Sequence, residues 1–181
     1  MFNAITSGRS LPVWALAASS VVVMLAFQNP TFAENAKQLA DSAKQLSTGP
    51  ALDFRDTVSG NPLDFTGLEE KETPEVVSFK ATGVNPYDKD AEAIKRGGVI
   101  FSTACAGCHG HLAEGKLGPS LADDYWTYPK NETDKGIFET VFGGANGMMG
   151  PQRGLLTQDE ILHVISWLRA LERGDIKPEH H

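Results

Sequence analysis

The chain is poor in cysteine, in basic charge and in long apolar runs, and each shortage excludes something. Two cysteines in 181 residues are too few for the disulfide framework of a small secreted scaffold. Lys and Arg number 16 against 23 Asp and Glu, a net charge of -7, so the basic excess that grips phosphate is missing and no nucleic-acid partner is expected. Methionine is scarce too, at four residues. No convincing two-residue alternation of apolar and polar side chains joins the helical segments described below, which argues for an all-α core with long connecting loops.

The one long apolar run, Leu11 to Phe27, follows a short start whose only charge is Arg9 and precedes Gln28-Asn29-Pro30 and Thr31-Phe32-Ala33. This is the layout of a secretory signal peptide over residues 1–33, with a small residue at its exit. The rival reading is an uncleaved anchor, because the run approaches the ~18 residues that span a bilayer. Pro30 and Ala33 favour cleavage. Losing residues 1–33 removes one positive charge and leaves 148 residues at a net charge of -8, outside the cytoplasm and with no stable membrane span.

Residues 34–86 read as a loop-rich N-terminal extension packing on a main domain at 87–181. Ala36, Leu39, Ala43 and Leu46 suggest a short amphipathic helix, and two copies of Leu-Asp-Phe (52–54 and 63–65) flank turn formers as the arms of a small hairpin would. In the main domain Asp90 is a helix cap ahead of Ala91, Ile94, Gly97, Gly98 and Phe101 at helical spacing. Glycine inside a helix costs roughly 1 kcal/mol relative to alanine, so Gly97-Gly98 implies close approach of another helix. A helix from about Thr133 ends at Gly143-Gly144. Thr157 to Glu160 forms a T-x-x-E capping box that opens a last helix, with Ile161, Val164, Ile165, Leu168 and Leu171 on one side, Trp167 at its edge and His163 on the opposite, solvent-facing side.

Both cysteines fall in Cys105-Ala106-Gly107-Cys108-His109, the C-x-x-C-H spacing of c-type haem attachment. Two thiols at this separation add across the two vinyl groups of one porphyrin, and the adjacent imidazole is then held under the iron. A thioredoxin-like dithiol would want a βαβ context, which this chain lacks, and a zinc site would want a further Cys or His cluster, whereas Cys105 and Cys108 exhaust the cysteines. Beyond the signal peptide the only methionines are Met148 and Met149, in a loop with Gly143, Gly144, Gly147, Gly150 and Pro151. One of them is the candidate second axial ligand, and a thioether there raises the potential of the iron. His111 is too near His109 to reach the other haem face, and His180 and His181 lie at the chain end. Gly118-Pro119-Ser120-Leu121 is placed to offer a carbonyl to the ring N–H of His109, or is an ordinary turn. Tyr125-Trp126-Thr127-Tyr128 offers aromatic faces to the haem and Trp N–H and Tyr O–H groups to its propionates, or is core.

Taken together, the G-x-x-x-F helix before C-x-x-C-H, the G-P-x-L turn, the M-G-P loop and the W-L-R-A-L helix resemble a class I cytochrome c domain. More narrowly, Thr82 to Tyr87, Phe101 to Lys116, Tyr125 to Pro129 with Asn131 to Asp134, and Gly143 to Pro151 are similar to the cytochrome cL family, over nearly all of the mature chain. The resemblance implies a class I fold with Gly97 and Phe101 meeting Trp167 and Leu168. It implies one covalent haem c on Cys105 and Cys108, with His109 and Met149 on the iron, the Pro119 carbonyl on His109, and Leu121 and Trp126 as further haem contacts. It also implies a periplasmic electron carrier, not an enzyme. Its donor would be a PQQ-dependent methanol dehydrogenase of the calcium or lanthanide type, and its acceptor a downstream cytochrome c or oxidase. A calcium ion near the haem propionates is the one further cofactor to consider. Two rivals are an open-site haem enzyme or gas sensor, and a carrier serving a different dehydrogenase.

Overall fold

Thr73, Pro74 and Gly83 delimit a helix, α1 (Pro74–Thr82), where the sequence reading expects only loop. Thr73 caps it by accepting from Val76 N (3.2 Å), Pro74 occupies its first turn, and Gly83 ends it in the left-handed region at φ 73°. Its buried residues, Val76 and Phe79, are too few and too far apart to stand out in a charged stretch. The computed structural model describes residues 52–176 and, in a separate unit spanning 1–46, Glu34 and Lys37, both helical and exposed. The expected signal peptide, the apolar positions Ala36 to Leu46, and His180 and His181 lie outside the described residues.

Ahead of α1, Leu63 N donates to Phe54 O and Asp56 N to Asn61 O, each at 2.8 Å, closing the hairpin that the paired Leu-Asp-Phe motifs suggest. Phe54 is buried with its ring 5.7 Å from those of Phe79 and Phe138, and Phe65 lies 4.9 Å from Phe142. Residues 54–79 therefore share one apolar core with the later helices.

Helix α2 (Ala91–Ala104) starts at the cap Asp90, whose carboxylate accepts from Ala93 N at 2.7 Å, and runs directly into a single turn, α3 (Ala106–His109). A 3-10 turn (Pro129–Glu132) precedes α4 (Asp134–Gly143), capped by Thr133 and ended at Gly144. The last helix, α5 (Gln158–Glu172), opens with the capping box expected at Thr157 and Glu160. Among the described residues only isolated bridges, and no strands, accompany these helices.

Helices α2 and α5 cross at the glycine. A Cβ on Gly97 would lie 2.0 Å from the backbone oxygen of His163, and one on Gly98 would lie 2.8 Å from Trp167 Nε1. Phe101 and Trp167 stack beside the crossing with ring centroids 4.4 Å apart. His163 departs from expectation. Rather than facing solvent it is 6% exposed, because Tyr87, just ahead of α2, covers that side of α5 at a ring separation of 4.3 Å.

Candidate functional site

The residues singled out by the motif meet around one cavity of about 410 Å³, in the range usual for small-molecule and cofactor sites. Cys105, Cys108, His109, Pro119, Leu121, Trp126 and Met149 all line it. Helix α2 ends where Cys105 N donates to Phe101 O at 2.9 Å, and α3 presents Cys108 and His109 one turn on. Burial pushes the Cys105 thiol up to about 11, with neighbouring Cys108 adding to the shift. As a free group it stays protonated at neutral pH, and Cys108 is the more exposed of the two.

The segment after His109 folds back as the sequence suggests. Gly115 N donates to His109 O at 2.7 Å, Gly118 N donates to Cys108 O at 2.8 Å, and the His109 Nδ1 lies 2.9 Å from Pro119 O. A carbonyl can only accept, so Nδ1 carries the ring proton and Nε2 is left with its lone pair, the state a metal-binding imidazole requires. The ring lies against Gly118, where a Cβ would come within 2.7 Å of His109 Cε1.

The methionine loop is built differently. Gly144, at φ 87°, is needed because a Cβ there would meet Pro151 N at 2.8 Å and Met149 O at 3.0 Å. Ala145 N donates to Met149 O, Gln152 N to Val141 O, and Asn146 N to the Tyr128 hydroxyl at 3.1 Å. These bonds fasten the loop to α4 and to the segment before the 3-10 turn. Both methionines line the cavity, but they differ in burial: Met149 packs half-buried against the core, whereas Met148 is 80% exposed.

The chain is 52% identical to cytochrome c-L of Methylorubrum extorquens, over 72% of this chain and 68% of that protein. The chain belongs to the cytochrome c-L family. Among solved structures, cytochrome CL of the marine methylotrophic bacterium Methylophaga aminisulfidivorans is 58% identical, covering 66% of this chain and 80% of that one at a TM-score of 0.64. Cytochrome cL of Hyphomicrobium denitrificans is 53% identical, covering 66% and 73% at the same TM-score. The family model for cytochrome C oxidase, cbb3-type, subunit III matches residues 92–168. A cbb3-type subunit CcoP of Rubrivivax gelatinosus is 31% identical over 54% of this chain, which spans about a third of that protein (32%). As a cytochrome c-L family member, the chain has the class I cytochrome c fold, carries haem c and is an electron-transfer protein rather than an enzyme.

The cavity fits such a group on its own chemistry. Two thiols three residues apart and an imidazole with a free lone pair share a wall with apolar Phe101, Ile137, Val164 and Leu168. Trp126 is buried under Arg169, whose guanidinium carbon lies 5.8 Å from its ring centroid. Burial works against the Arg169 charge, but the hydrogen bonds it donates to Asp134 and Glu172 outweigh it and raise its pKa. Tyr125 is 75% exposed and takes no part in the cavity wall. The sequence reading passes over Gly118 as a seat for the imidazole, Arg169 as a brace and Asn131 as a wall residue. Only the N-E-T-D run at 131–134, quoted for family likeness, hinted at the last.

Proposed function

We propose that this cytochrome is a periplasmic carrier that takes single electrons from a PQQ-dependent methanol dehydrogenase and passes them to a downstream cytochrome c or oxidase. Residues 1–33 are removed on export, 34–86 form an extension and 87–181 hold one haem, bonded through Cys105 and Cys108. His109 Nε2 and the Met149 thioether would hold its iron. The observation that carries the ligation is the bond of His109 Nδ1 to Pro119 O on the cavity that both cysteines line. Identity of more than half to named cytochromes c-L supports the donor, and the likeness to cbb3-type subunits supports the acceptor.

When bound, the haem supplies the one-electron iron couple; the chain does the rest. Pro119 O keeps the imidazole in one tautomer and one orientation. Met149 offers a soft sulfur that favours ferrous iron. Leu121, Trp126 and the helix side chains keep water from the ring. Among the described residues no three His, Cys, Asp or Glu side chains gather to hold a metal ion.

Rapid-mixing reduction by a calcium and by a lanthanide methanol dehydrogenase tests the reading. At least one should reduce the ferric protein, at a rate that falls with ionic strength because the chain's acidic excess steers a basic patch. A six-coordinate spectrum with no reduction by either would assign the carrier to a different dehydrogenase. Ready binding of carbon monoxide to the reduced form would favour the open-site enzyme or sensor.

A further inference from the structure

We propose that Asn131 donates a hydrogen bond to a haem carboxylate, and that Thr57 in the N-terminal hairpin sets this bond through a relay of hydroxyls. The inference rests on haem c occupying the cavity described above. That cavity has no Lys or Arg among its lining residues, yet the porphyrin brings two propionate carboxylates, and a carboxylate placed against protein needs donors. Behind the wall, Arg169 is engaged by Asp134, Glu172 and the backbone oxygens of Asn131 and Glu132, and Lys130 by Glu139 and the Arg55 backbone oxygen. A neutral donor must serve.

Besides His109, the buried side chains with an N–H on this cavity are Trp126 and Asn131, and Asn131 is the one whose orientation a side-chain hydrogen bond fixes. It is 6% exposed and lines the cavity. Its backbone N donates to Tyr128 O at 2.9 Å and its backbone O accepts from Arg169 Nη2 at 3.1 Å. Its side-chain Oδ1 accepts from Thr140 Oγ1 at 2.8 Å. Nothing among the described residues accepts from its Nδ2. That nitrogen is not sealed against protein either, since Gln158 Oε1 is the sole fully buried side-chain polar atom without a partner among them. Nδ2 therefore has two protons to give, on a residue that lines the cavity.

The orientation is fixed from a distance. Thr140 has a single hydroxyl proton, which goes to Asn131, so the 2.9 Å contact between Thr57 Oγ1 and Thr140 Oγ1 must be a donation from Thr57. The chain of donors runs Thr57 to Thr140 to Asn131 and ends at Nδ2. It ties a residue of the hairpin turn, 83 positions from Thr140, to the cavity wall. An ionised carboxylate near the iron favours the ferric state, and a donor that damps its charge favours the ferrous. Asn131 is the binding residue; Thr57 and Thr140 are positioning residues.

The test is potentiometry of the haem-loaded, full-length protein at pH 8. Asn131→Leu should shift the equilibrium with a redox mediator about tenfold toward the ferric form, and Thr57→Val about twofold in the same direction. Thr57→Ser, which keeps the hydroxyl, should match the parent, and Thr57→Val should add nothing in the Asn131→Leu background. A Thr57→Val effect undiminished in that background overturns the relay. A haem-loaded Asn131→Leu protein with the parent potential overturns the bond itself. If Asn131→Leu does not fold, Thr57→Val against Thr57→Ser decides, and equal potentials overturn the proposal. Failure of the parent protein to show a six-coordinate haem would instead count against the ligand assignment.

Discussion

The two loops that close the cavity hold their candidate iron ligands in opposite ways. On one side His109 is 7% exposed, its ring N–H bonded to a carbonyl and its face set against Gly118. On the other, Met149 is half-buried, no hydrogen bond among the described residues reaches its sulfur, and its loop is fixed by backbone bonds and by the Tyr128 hydroxyl. An imidazole has a tautomer to choose and a proton to place, so the fold must choose for it. A thioether has neither, and a loop that brings it to the right depth suffices. One side is oriented by bonds, the other by packing.

Met149→Ala should break this contrast most visibly. The haem stays bonded and His109 stays oriented, but the potential falls by on the order of 0.1 V, a fraction of the ~0.8 V that axial ligation spans, and the reduced form binds carbon monoxide. Potentiometry and gas titration check both. Unchanged values would mean that Met149 is not a ligand.

Glu139→Gln tests the footing of the methionine side. Glu139 lies 4% exposed on α4, just ahead of the loop, and takes Lys130 at 2.8 Å, Lys135 at 2.5 Å and Arg55 N at 2.7 Å. Burial pushes its pKa up, but hydrogen bonds from Lys130, Lys135 and the Arg55 backbone outweigh it and hold the value below the ordinary 4.5. Because the folded value is depressed, its stabilisation is present above about 4.5 and is lost as pH falls through the folded value. Denaturant unfolding should show the substitution costing about 3 kcal/mol at neutral pH, with a smaller difference in acid. The His109 contacts should survive it in the folded state.

Gly118→Ala strikes the histidine side. Its Cβ must displace the imidazole, at a cost of about 2 kcal/mol in unfolding free energy and with an altered ferric spectrum. Gly147→Ala on the other side meets no atom within 4 Å but must hold φ near 85°, so it should cost about 1 kcal/mol from the backbone alone and leave the spectrum as it was. Equal spectral changes in the two variants would erase the contrast. Met148→Leu, at a side chain 80% exposed, should change stability by less than about 0.5 kcal/mol and leave the potential alone.

The histidine side was legible in the sequence because its chemistry is local. Cys105, Cys108, His109 and Pro119 lie within fifteen positions; spacing implies the thioether pair, and the family resemblance chooses the returning Pro119 carbonyl over an ordinary turn. The methionine was legible only to within two neighbours, since period and composition cannot say which of two adjacent side chains turns inward. Helix α2, α4 and the Thr157 capping box followed from caps and apolar period. Helix α1 did not, although Thr73, Pro74 and Gly83 are start and stop signals in hindsight, because only Val76 and Phe79 mark its buried side. His163 was misplaced by treating α5 as having one partner. Tyr87 covers its other face, a tertiary fact no helical period contains. The Thr57–Thr140–Asn131 chain is likewise invisible until residues 83 positions apart are brought together.

The backbone contact at Gly97 and His163 also bears on the order of assembly. Every residue between them, both thiols included, belongs to a loop that this crossing closes, and Val164 and Leu168 of the last helix complete the cavity wall. Until that helix docks, the cavity has no far side. Cys105, Cys108 and His109 all precede that helix, so a chain ending short of Gln158 holds the whole attachment motif but lacks the wall that closes over it.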